Sequence, residues 1–315
     1  MAAAARVSRL SLAASLGTLA GMTDTLAATP NDVPFNLYRP TEPLMATVLE
    51  NRRLTAPGDP TDVRHIVLRY PQGTFRFVEG QAVGIPPPGL NAHGRPNVPR
   101  LYSVACDRDG EDGSGCTVSL AVKRVVHPDT TGVPHPGLSS NYLCDATPGD
   151  LLPMTGPAGK DVLPADPAAP LLCIGVGTGV APFRSFLRRR ARDIGQHGPM
   201  WLFLGARTHG ALLYRDEWDD FVRRDPKSRV TYAISGQDST EDGRRMYVQD
   251  RMKETGHHLW HFLMRPGTHI HVCGIRGLEI GVEEALAELA ARAGEDWSAI
   301  RADFVQSGRW HIATY

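Results

Sequence analysis

Two stretches far apart in the chain carry groups that can do chemistry together. Arg100-Leu101-Tyr102-Ser103 reads as a strand offering a cation for a phosphate, a ring to flank a flat heterocycle and a hydroxyl to bond its reactive edge. These are the fittings of one side of a flavin site. At the other end, Arg309-Trp310-His311-Ile312-Ala313-Thr314-Tyr315 supplies a tyrosine that can cover the opposite face. A third stretch, Cys173-Ile174-Gly175-Val176-Gly177-Thr178-Gly179-Val180-Ala181-Pro182-Phe183-Arg184, sets a glycine-rich turn between an apolar strand and a helix. Glycines there let the backbone approach a pyrophosphate, and the free amides and dipole of a helix start favour that anion. The same turn also occurs with no ligand.

Three further groups extend the reading. Ser235-Gly236-Gln237 is followed by Arg244-Arg245-Met246-Tyr247-Val248-Gln249. A serine at the C-terminal end of a parallel strand can donate to a phosphate, two arginines add charge-assisted forks, and Tyr247 can stack on an adenine. The plainer alternative is a solvated arginine pair. Gly137-Leu138-Ser139-Ser140-Asn141-Tyr142 reads as a helix start with Ser139 or Ser140 as the cap, a second anion site or simply a capping turn. Cys273 ends an apolar strand that faces the sheet crevice, where a small side chain fits against a ring; a buried core cysteine is the alternative. No step in such a scheme needs a thiolate nucleophile.

The elements that must position these groups fall into two kinds. Up to about residue 152 the chain has short β-like runs, such as Arg64 to Tyr70 and Thr117 to Val122, punctuated by Pro and Gly clusters. Such runs predict an antiparallel barrel or sandwich, of which a Greek-key barrel is the one expected. After Pro170 the pattern alternates strand and amphipathic helix, with strands at Leu171 to Gly175, Trp201 to Gly205, Arg229 to Ser235 and His269 to Gly274. Helices are expected at Ala181 to Arg192, Leu212 to Arg224, Met246 to His261 and Leu278 to Ala293. This alternation predicts a Rossmann-like parallel sheet. The expected division is a leading segment over 1–34, a barrel domain over 35–160 and an α/β domain over 161–315, with the break in the proline-rich stretch Pro153 to Pro170.

Composition narrows the class. A length of 315 residues suits two domains. Lys plus Arg and Asp plus Glu balance at 34 each, so no global field draws the chain to nucleic acid or an anionic membrane. Cys106, Cys116, Cys144, Cys173 and Cys273 are odd in number and form no Cys-x-x-Cys pair, which argues against a disulfide framework, a zinc site or a cysteine-ligated cluster. A reducing compartment, the cytoplasm, is expected. The first thirty residues are rich in Ala, Ser and Leu, with Arg6 and Arg9 and no acid before Asp24. They read as a disordered tail, a transit peptide that would place the protein in an organelle such as the chloroplast, or a short export signal. No run is apolar enough for long enough to predict an integral membrane segment.

Taken in order, Asn36-Leu37-Tyr38-Arg39-Pro40, Arg100-Leu101-Tyr102-Ser103, Ser140-Asn141-Tyr142-Leu143-Cys144, Gly156-Pro157-Ala158-Gly159-Lys160, Gly177 to Leu187 and Cys273-Gly274-Ile275-Arg276-Gly277-Leu278-Glu279 resemble the plant-type ferredoxin-NADP reductase family. The resemblance runs from about Asn36 to Tyr315. Asn91 to Arg95 and Gly205 to Thr208 are also similar to the reductase component of benzoyl-CoA epoxidases, though this chain lacks cysteines for that protein's cluster segment. The resemblance implies a barrel holding FAD, a Rossmann-like domain holding NADP, and hydride passing between the two. Ser103, Cys273 and Tyr315 would stand at the reacting rings. The cofactor contacts would be Arg100, Leu101, Tyr102, Ser103, Val122, Lys123, Gly137, Leu138, Ser139, Ser140, Gly177, Thr178, Gly179, Pro182, Gly205, Arg207, Ser235, Arg244, Arg245, Tyr247, Gln249, Gly274, Leu278 and Tyr315. Tyr315 would act as a gate that the nicotinamide displaces. No metal is implied.

The chain departs from the family at three places. Ala313 stands where a glutamate is usual, Gly236 where an arginine often meets the 2'-phosphate, and His127 where an aromatic ring often stacks on the FAD adenine. The partner implied is an acidic one-electron carrier, ferredoxin or flavodoxin. Arg184, Arg188, Arg189, Arg190 and Arg192, with Lys123 and Arg124, offer it local positive charge; a solvated helix face is the alternative. Two rival readings remain: the reductase subunit of a multicomponent oxygenase, and a slow redox sensor that binds FAD and NADP. Oligomeric state is not legible in the sequence.

Overall fold

The computed structural model describes residues 33–192 and 195–315. The expected segment over 1–34, with its tail, transit and export alternatives, lies almost wholly outside the described residues.

The first half is a six-stranded antiparallel sheet in the order β4-β3-β8-β1-β2-β5. Its strands are β1 (Leu44–Arg53), β2 (Val63–Arg69), β3 (Ala82–Ile85), β4 (Arg100–Ser103), β5 (Thr117–Lys123) and β8 (Leu151–Ala158). A bridge from Val104 to Leu120, with the Ala105 N–H donating to the Ser119 carbonyl at 2.7 Å, closes β4 on β5. The sheet is therefore a barrel with no open edge. Val48, Ile66, Leu68, Val83, Leu120 and Leu152 fill it, all 2% exposed or less. A small exposed hairpin, β6 (Val126–Pro128) and β7 (Pro134–Pro136), and the helix α1 (Leu138–Asp145) follow β5. Pro153 and Pro157 lie inside β8, which pairs with both β1 and β3. The sheet thus continues past Pro153, and the connector between the halves is 159–170.

The second half is a parallel five-stranded sheet, β11-β10-β9-β12-β13. It comprises β9 (Leu171–Val176), β10 (Met200–Ala206), β11 (Arg229–Ile234), β12 (His269–Gly274) and β13 (Trp310–Thr314). One face carries α2 (Ala181–Arg192) and α3 (Arg215–Arg224) over a core that includes Cys173, Phe183, Phe186, Leu202 and Trp218. The other carries α4 (Val248–Leu263), α5 (Leu278–Ala293) and α6 (Trp297–Gln306) over Ile174, Phe203, Leu259, Val272 and Leu286. Local signals set the ends. Asp250 accepts the Tyr247 amide at 3.0 Å at the start of α4, Asp296 accepts the Ser298 amide at 2.9 Å at the start of α6, and Gly294 ends α5 in the left-handed region.

The helix expected from Leu212 begins at Arg215, because Leu212, Leu213 and Tyr214 are buried in a turn that leads into α3, with Tyr214 in the left-handed region at φ 57°. The helix expected from Met246 begins at Val248, and Met246 is core. The sequence reading missed α6 and β13. Its signal for α6 was present: a capping Asp296 followed by Trp297, Ile300 and Phe304 on one face.

Candidate functional site

The crevice lies at the C-terminal ends of β9 and β12. There the chain leaves β9 through a 3₁₀ turn, Gly177–Val180, and enters α2 at Ala181-Pro182. Gly179 must be glycine: a Cβ would lie 2.1 Å from the Cys273 carbonyl oxygen and 2.8 Å from the Gly274 Cα. The phosphate-type turn is thereby pressed against the end of β12. The Tyr315 N–H donates to the Gly274 carbonyl at 3.0 Å, and the Arg276 N–H donates to the Tyr315 oxygen at 3.2 Å. The Tyr315 and Thr178 hydroxyls are 2.6 Å apart. Thr178, Cys273 and Tyr315, separated by up to 137 residues, are thus brought together. The Tyr315 residue is 59% exposed.

Cys273 is 3% exposed, and burial pushes its thiol up to about 12. It remains a neutral, small contact. Its partner in the β12–β13 register is Ala313, so the position that departs from the family lies beside Cys273.

On the barrel side, Arg100 and Leu101 are exposed on β4 while Tyr102 and Ser103 are half-buried. Burial raises the Tyr102 phenol to about 12, with the Ser139 hydroxyl hydrogen-bonded nearby. This makes Tyr102 a neutral aromatic shelf. The α1 start differs from expectation. Gly137 is the N-cap, and neither serine caps the helix. Instead the Ser140 oxygen accepts the Val125 amide at 3.2 Å and its hydroxyl reaches the Gly137 carbonyl at 3.3 Å, which ties the helix to the strand before it. Ser139 and Ser140 are both buried in the first turn, and Leu138 is exposed. Lys123 ends β5 exposed, while Val122 is fully buried and can offer only its backbone. His127 is exposed in the hairpin, in register with His135.

A second cavity, about 430 Å³, opens beside the ends of β10 and β11. Arg207, Thr208, Ser235, Gln237 and Arg245 line it. Arg207 and Arg245 are exposed there, so two guanidiniums meet one serine in a hollow of phosphate-binding character. Arg244 is drawn elsewhere, donating to Asp242 at 2.6 Å. Gly236 cannot carry a side chain, since a Cβ would lie 2.5 Å from the Arg207 carbonyl. The missing arginine is a steric consequence of the β10 loop, and Arg207 comes from that same loop. Tyr247, 45% exposed, stands at the head of α4. Gly205 is a packing position, where a Cβ would lie 2.8 Å from Val176 and 2.9 Å from Val248. Leu278 lies in the core and Gln249 packs over Gly281. Gly274, too, is held close, with Val176 2.5 Å from a Cβ there.

The arginines of α2 do not form a free basic patch. Arg184 is 2% exposed and forks to Glu217 at 2.7 Å and Glu111 at 2.8 Å, with its guanidinium 4.4 Å from the Tyr214 ring centre. Arg188 meets Glu111 at 3.3 Å, Arg189 meets Asp109 at 3.3 Å and Arg192 meets Asp107 at 2.9 Å. Arg190 is buried on backbone carbonyls. Arg124 is likewise bound, to Asp62 and Asp145. The barrel loop 107–112 neutralises α2, because these charges sit at the junction of the halves. That acidic loop is a part the sequence reading missed, as is the Thr208 contact to Asp59 across the same junction.

Residues 173–284 match the family described as Oxidoreductase NAD-binding domain. Over 90% of its length the chain is 39% identical to the cyanelle ferredoxin–NADP reductase of Cyanophora paradoxa, covering 80% of that protein. The chain belongs to the ferredoxin–NADP reductase family. Identity to the Spirulina reductase is 37%, over 90% of this chain and 99% of that one. To the chloroplastic leaf isozyme 1 of Arabidopsis thaliana it is 37%, over 89% and 79%. The solved ferredoxin-NADP+ reductase of Plasmodium falciparum superposes with a TM-score of 0.73, covering 90% of this chain and 100% of that one at 22% identity, a likeness of fold. The expected fold, a barrel followed by a Rossmann-like sheet, is the one observed. Among the described residues no helix is long and apolar enough to cross a membrane.

Proposed function

We propose that this reductase carries hydride between NADP(H) and FAD and single electrons between FAD and a ferredoxin or flavodoxin. The observation that carries the reading is the convergence of Thr178, Cys273 and Tyr315 at one crevice, with a two-arginine cavity at the neighbouring strand ends. FAD, when bound, supplies the conversion of a two-electron hydride into single electrons. Everything else falls to the chain. In our division, 35–160 holds FAD and 161–315 holds NADP.

The residues present fit both groups. Arg100 would take the FAD pyrophosphate, Tyr102 would flank the ring, Ser103 would bond its reactive edge, and the first turn of α1 with Ser139 and Ser140 would receive the phosphates. The 3₁₀ turn at Thr178 holds the NADP pyrophosphate, Ser235, Arg207 and Arg245 hold the 2'-phosphate, and Tyr247 stacks on the adenine. Tyr315 would cover the face of the flavin, and its hydroxyl bond to Thr178 would be given up where the nicotinamide takes that place. Displacement subtracts from nicotinamide binding, so specificity rests on the phosphate end. The acidic carrier approaches from the barrel side, at the exposed edge of β4, rather than at α2, whose charges are spent internally. All five cysteines are free thiols, which supports a reducing compartment, the cytoplasm in our reading.

The test is an anaerobic visible spectrum of the purified protein before and after stoichiometric NADPH and, separately, NADH. Bound flavin bleached much faster by NADPH is the expected result. Absence of flavin, or flavin that neither nucleotide reduces, would overturn the reading in favour of a binding protein.

A further inference from the structure

The sheet carries a histidine cluster at the end opposite the crevice, and the reductase chemistry makes no use of it. His269 and His271 alternate on one face of β12, and His311 is the register partner of His271 on β13. One ligand nitrogen from each lies within 4.8 Å of the other two. The closest pair, His269 Nδ1 and His311 Nε2, are 3.2 Å apart. Two nitrogens bound to one tetrahedral zinc at about 2.0–2.1 Å each stand roughly 3.4 Å apart, so this pair already has the needed bite. On its far side His311 Nδ1 is 3.2 Å from the Asp161 carboxylate. A ligating imidazole that donates its other N–H to a carboxylate is the usual outer shell of a metal site, and it leaves the Nε2 lone pair facing inward.

A second, independent observation comes from His271. It is 3% exposed, and its Nε2 is buried with no hydrogen-bond partner. A buried polar nitrogen left unpaired is costly unless something else occupies it. Neutral imidazole is the form that binds a metal. The nearby guanidiniums of Arg190 and Arg309 oppose a cation held by charge alone. This rejects magnesium or calcium, which want oxygen, and leaves an ion that bonds to nitrogen.

We propose that His269, His271 and His311 form a three-imidazole site for zinc or a zinc-like divalent ion, with Asp161 behind His311. The fourth position opens to a cavity of about 770 Å³ between the connector and the start of the sheet, lined by Lys160, Leu163, Arg190, His269 and His311. The His271 and His311 rings are stacked 4.2 Å apart, so one ring tilts to aim its nitrogen at the ion. On binding, His269 changes tautomer: the proton it shares from Nδ1 with His311 Nε2 moves to His269 Nε2, and the two freed lone pairs face the ion. The bound ion pins the connector, through Asp161, to β12 and β13. At about 3.3 Å per residue the site is roughly 13 Å from Tyr315 along β13, too far to touch the crevice.

Chelator-treated holoenzyme would be titrated with zinc chloride by calorimetry, and the zinc-loaded protein read at the zinc X-ray absorption edge. All proteins would carry His257→Gln and His261→Gln, because those two exposed imidazoles, with Nε2 atoms 2.9 Å apart, would take zinc themselves. The expected result is one equivalent of zinc, at least three nitrogen neighbours, and affinity at least tenfold weaker in His311→Gln. Asp161→Asn, at an exposed side chain that cannot threaten the fold, should weaken binding about tenfold to a hundredfold while keeping one equivalent. Negligible zinc uptake by folded, flavin-loaded protein overturns the proposal. So does unchanged affinity in both variants.

Discussion

Replacing Glu111 by glutamine tests whether the junction between the halves is an electrostatic lock. Burial alone would raise the Glu111 carboxyl, but hydrogen bonds and charge from Arg184, with Arg188 and His65 adding, hold it down to about 2. Its ordinary value is 4.5, and each tenfold change in proton affinity corresponds to roughly 1.4 kcal/mol, so the carboxylate contributes about 3 kcal/mol at neutral pH. An independent argument gives the same size: breaking one partner of a buried ion pair costs about 3–5 kcal/mol, and Arg184 is 2% exposed. The sign follows from the depressed folded-state value. The contribution is present above pH 4.5 and is lost as pH falls towards 2. Urea unfolding at pH 7, followed by tryptophan and flavin fluorescence, should show Glu111→Gln less stable by about 3 kcal/mol. Between pH 4.5 and 2 the two proteins should converge, since the wild type alone loses this carboxylate. A difference below about 1 kcal/mol at pH 7, or parallel acid limbs, would refute the lock.

Arg245→Ala should raise the KM for NADPH about tenfold to a hundredfold and leave NADH kinetics nearly unchanged, because a charge-assisted bond to phosphate is worth about 1.5–3 kcal/mol; an equal effect on both nucleotides would remove Arg245 from the 2'-phosphate. Ala313→Glu places a carboxylate beside Cys273, where it should stabilise the oxidised, cationic nicotinamide and speed flavin reduction by NADPH in stopped flow. No change in that rate would show that position 313 does not face the ring. Native protein should yield about one reactive thiol with a disulfide reagent, at partly exposed Cys116, since burial raises the thiols of Cys106, Cys144, Cys173 and Cys273. Denaturant should release the other four, and full reactivity without denaturant would contradict the packing of the β12 end.

Most of the architecture was legible because the signals for it are local. The helices Ala181–Arg192 and Leu278–Ala293 have the ends the sequence predicts, one entered at Ala181-Pro182 and the other stopped at Gly294. What was lost depended on contacts distant in sequence. The α2 arginines look like a solvated or docking face until Asp107, Asp109 and Glu111, some 73 to 85 residues earlier, are folded against them. Gly236 looks like a lost phosphate ligand until the Arg207 carbonyl fills the space a side chain would need. Leu212 to Tyr214 have helical composition, yet they are buried as a turn that puts Tyr214 in the left-handed region. The serines before α1 look like caps, yet Ser140 is taken by the strand end that precedes it.

The neutralised face of α2 bears on how such a protein can be taken apart and recombined. Cut free at the connector, the 161–315 piece would strip the barrel partners from four arginines on one helix, Arg184, Arg188, Arg189 and Arg192, the first of which hardly meets water in the whole protein. The piece is neutral as a whole, with 20 Lys plus Arg against 20 Asp plus Glu, but this one helix face would be locally cationic and would cling to nucleic acid and column matrices. A chimera that grafts this half onto a relative's barrel would meet the same difficulty unless the acidic loop 107–112 travels with it. The two halves are separate in fold but matched in charge, and they are interchangeable only as far as that loop and that helix are exchanged together.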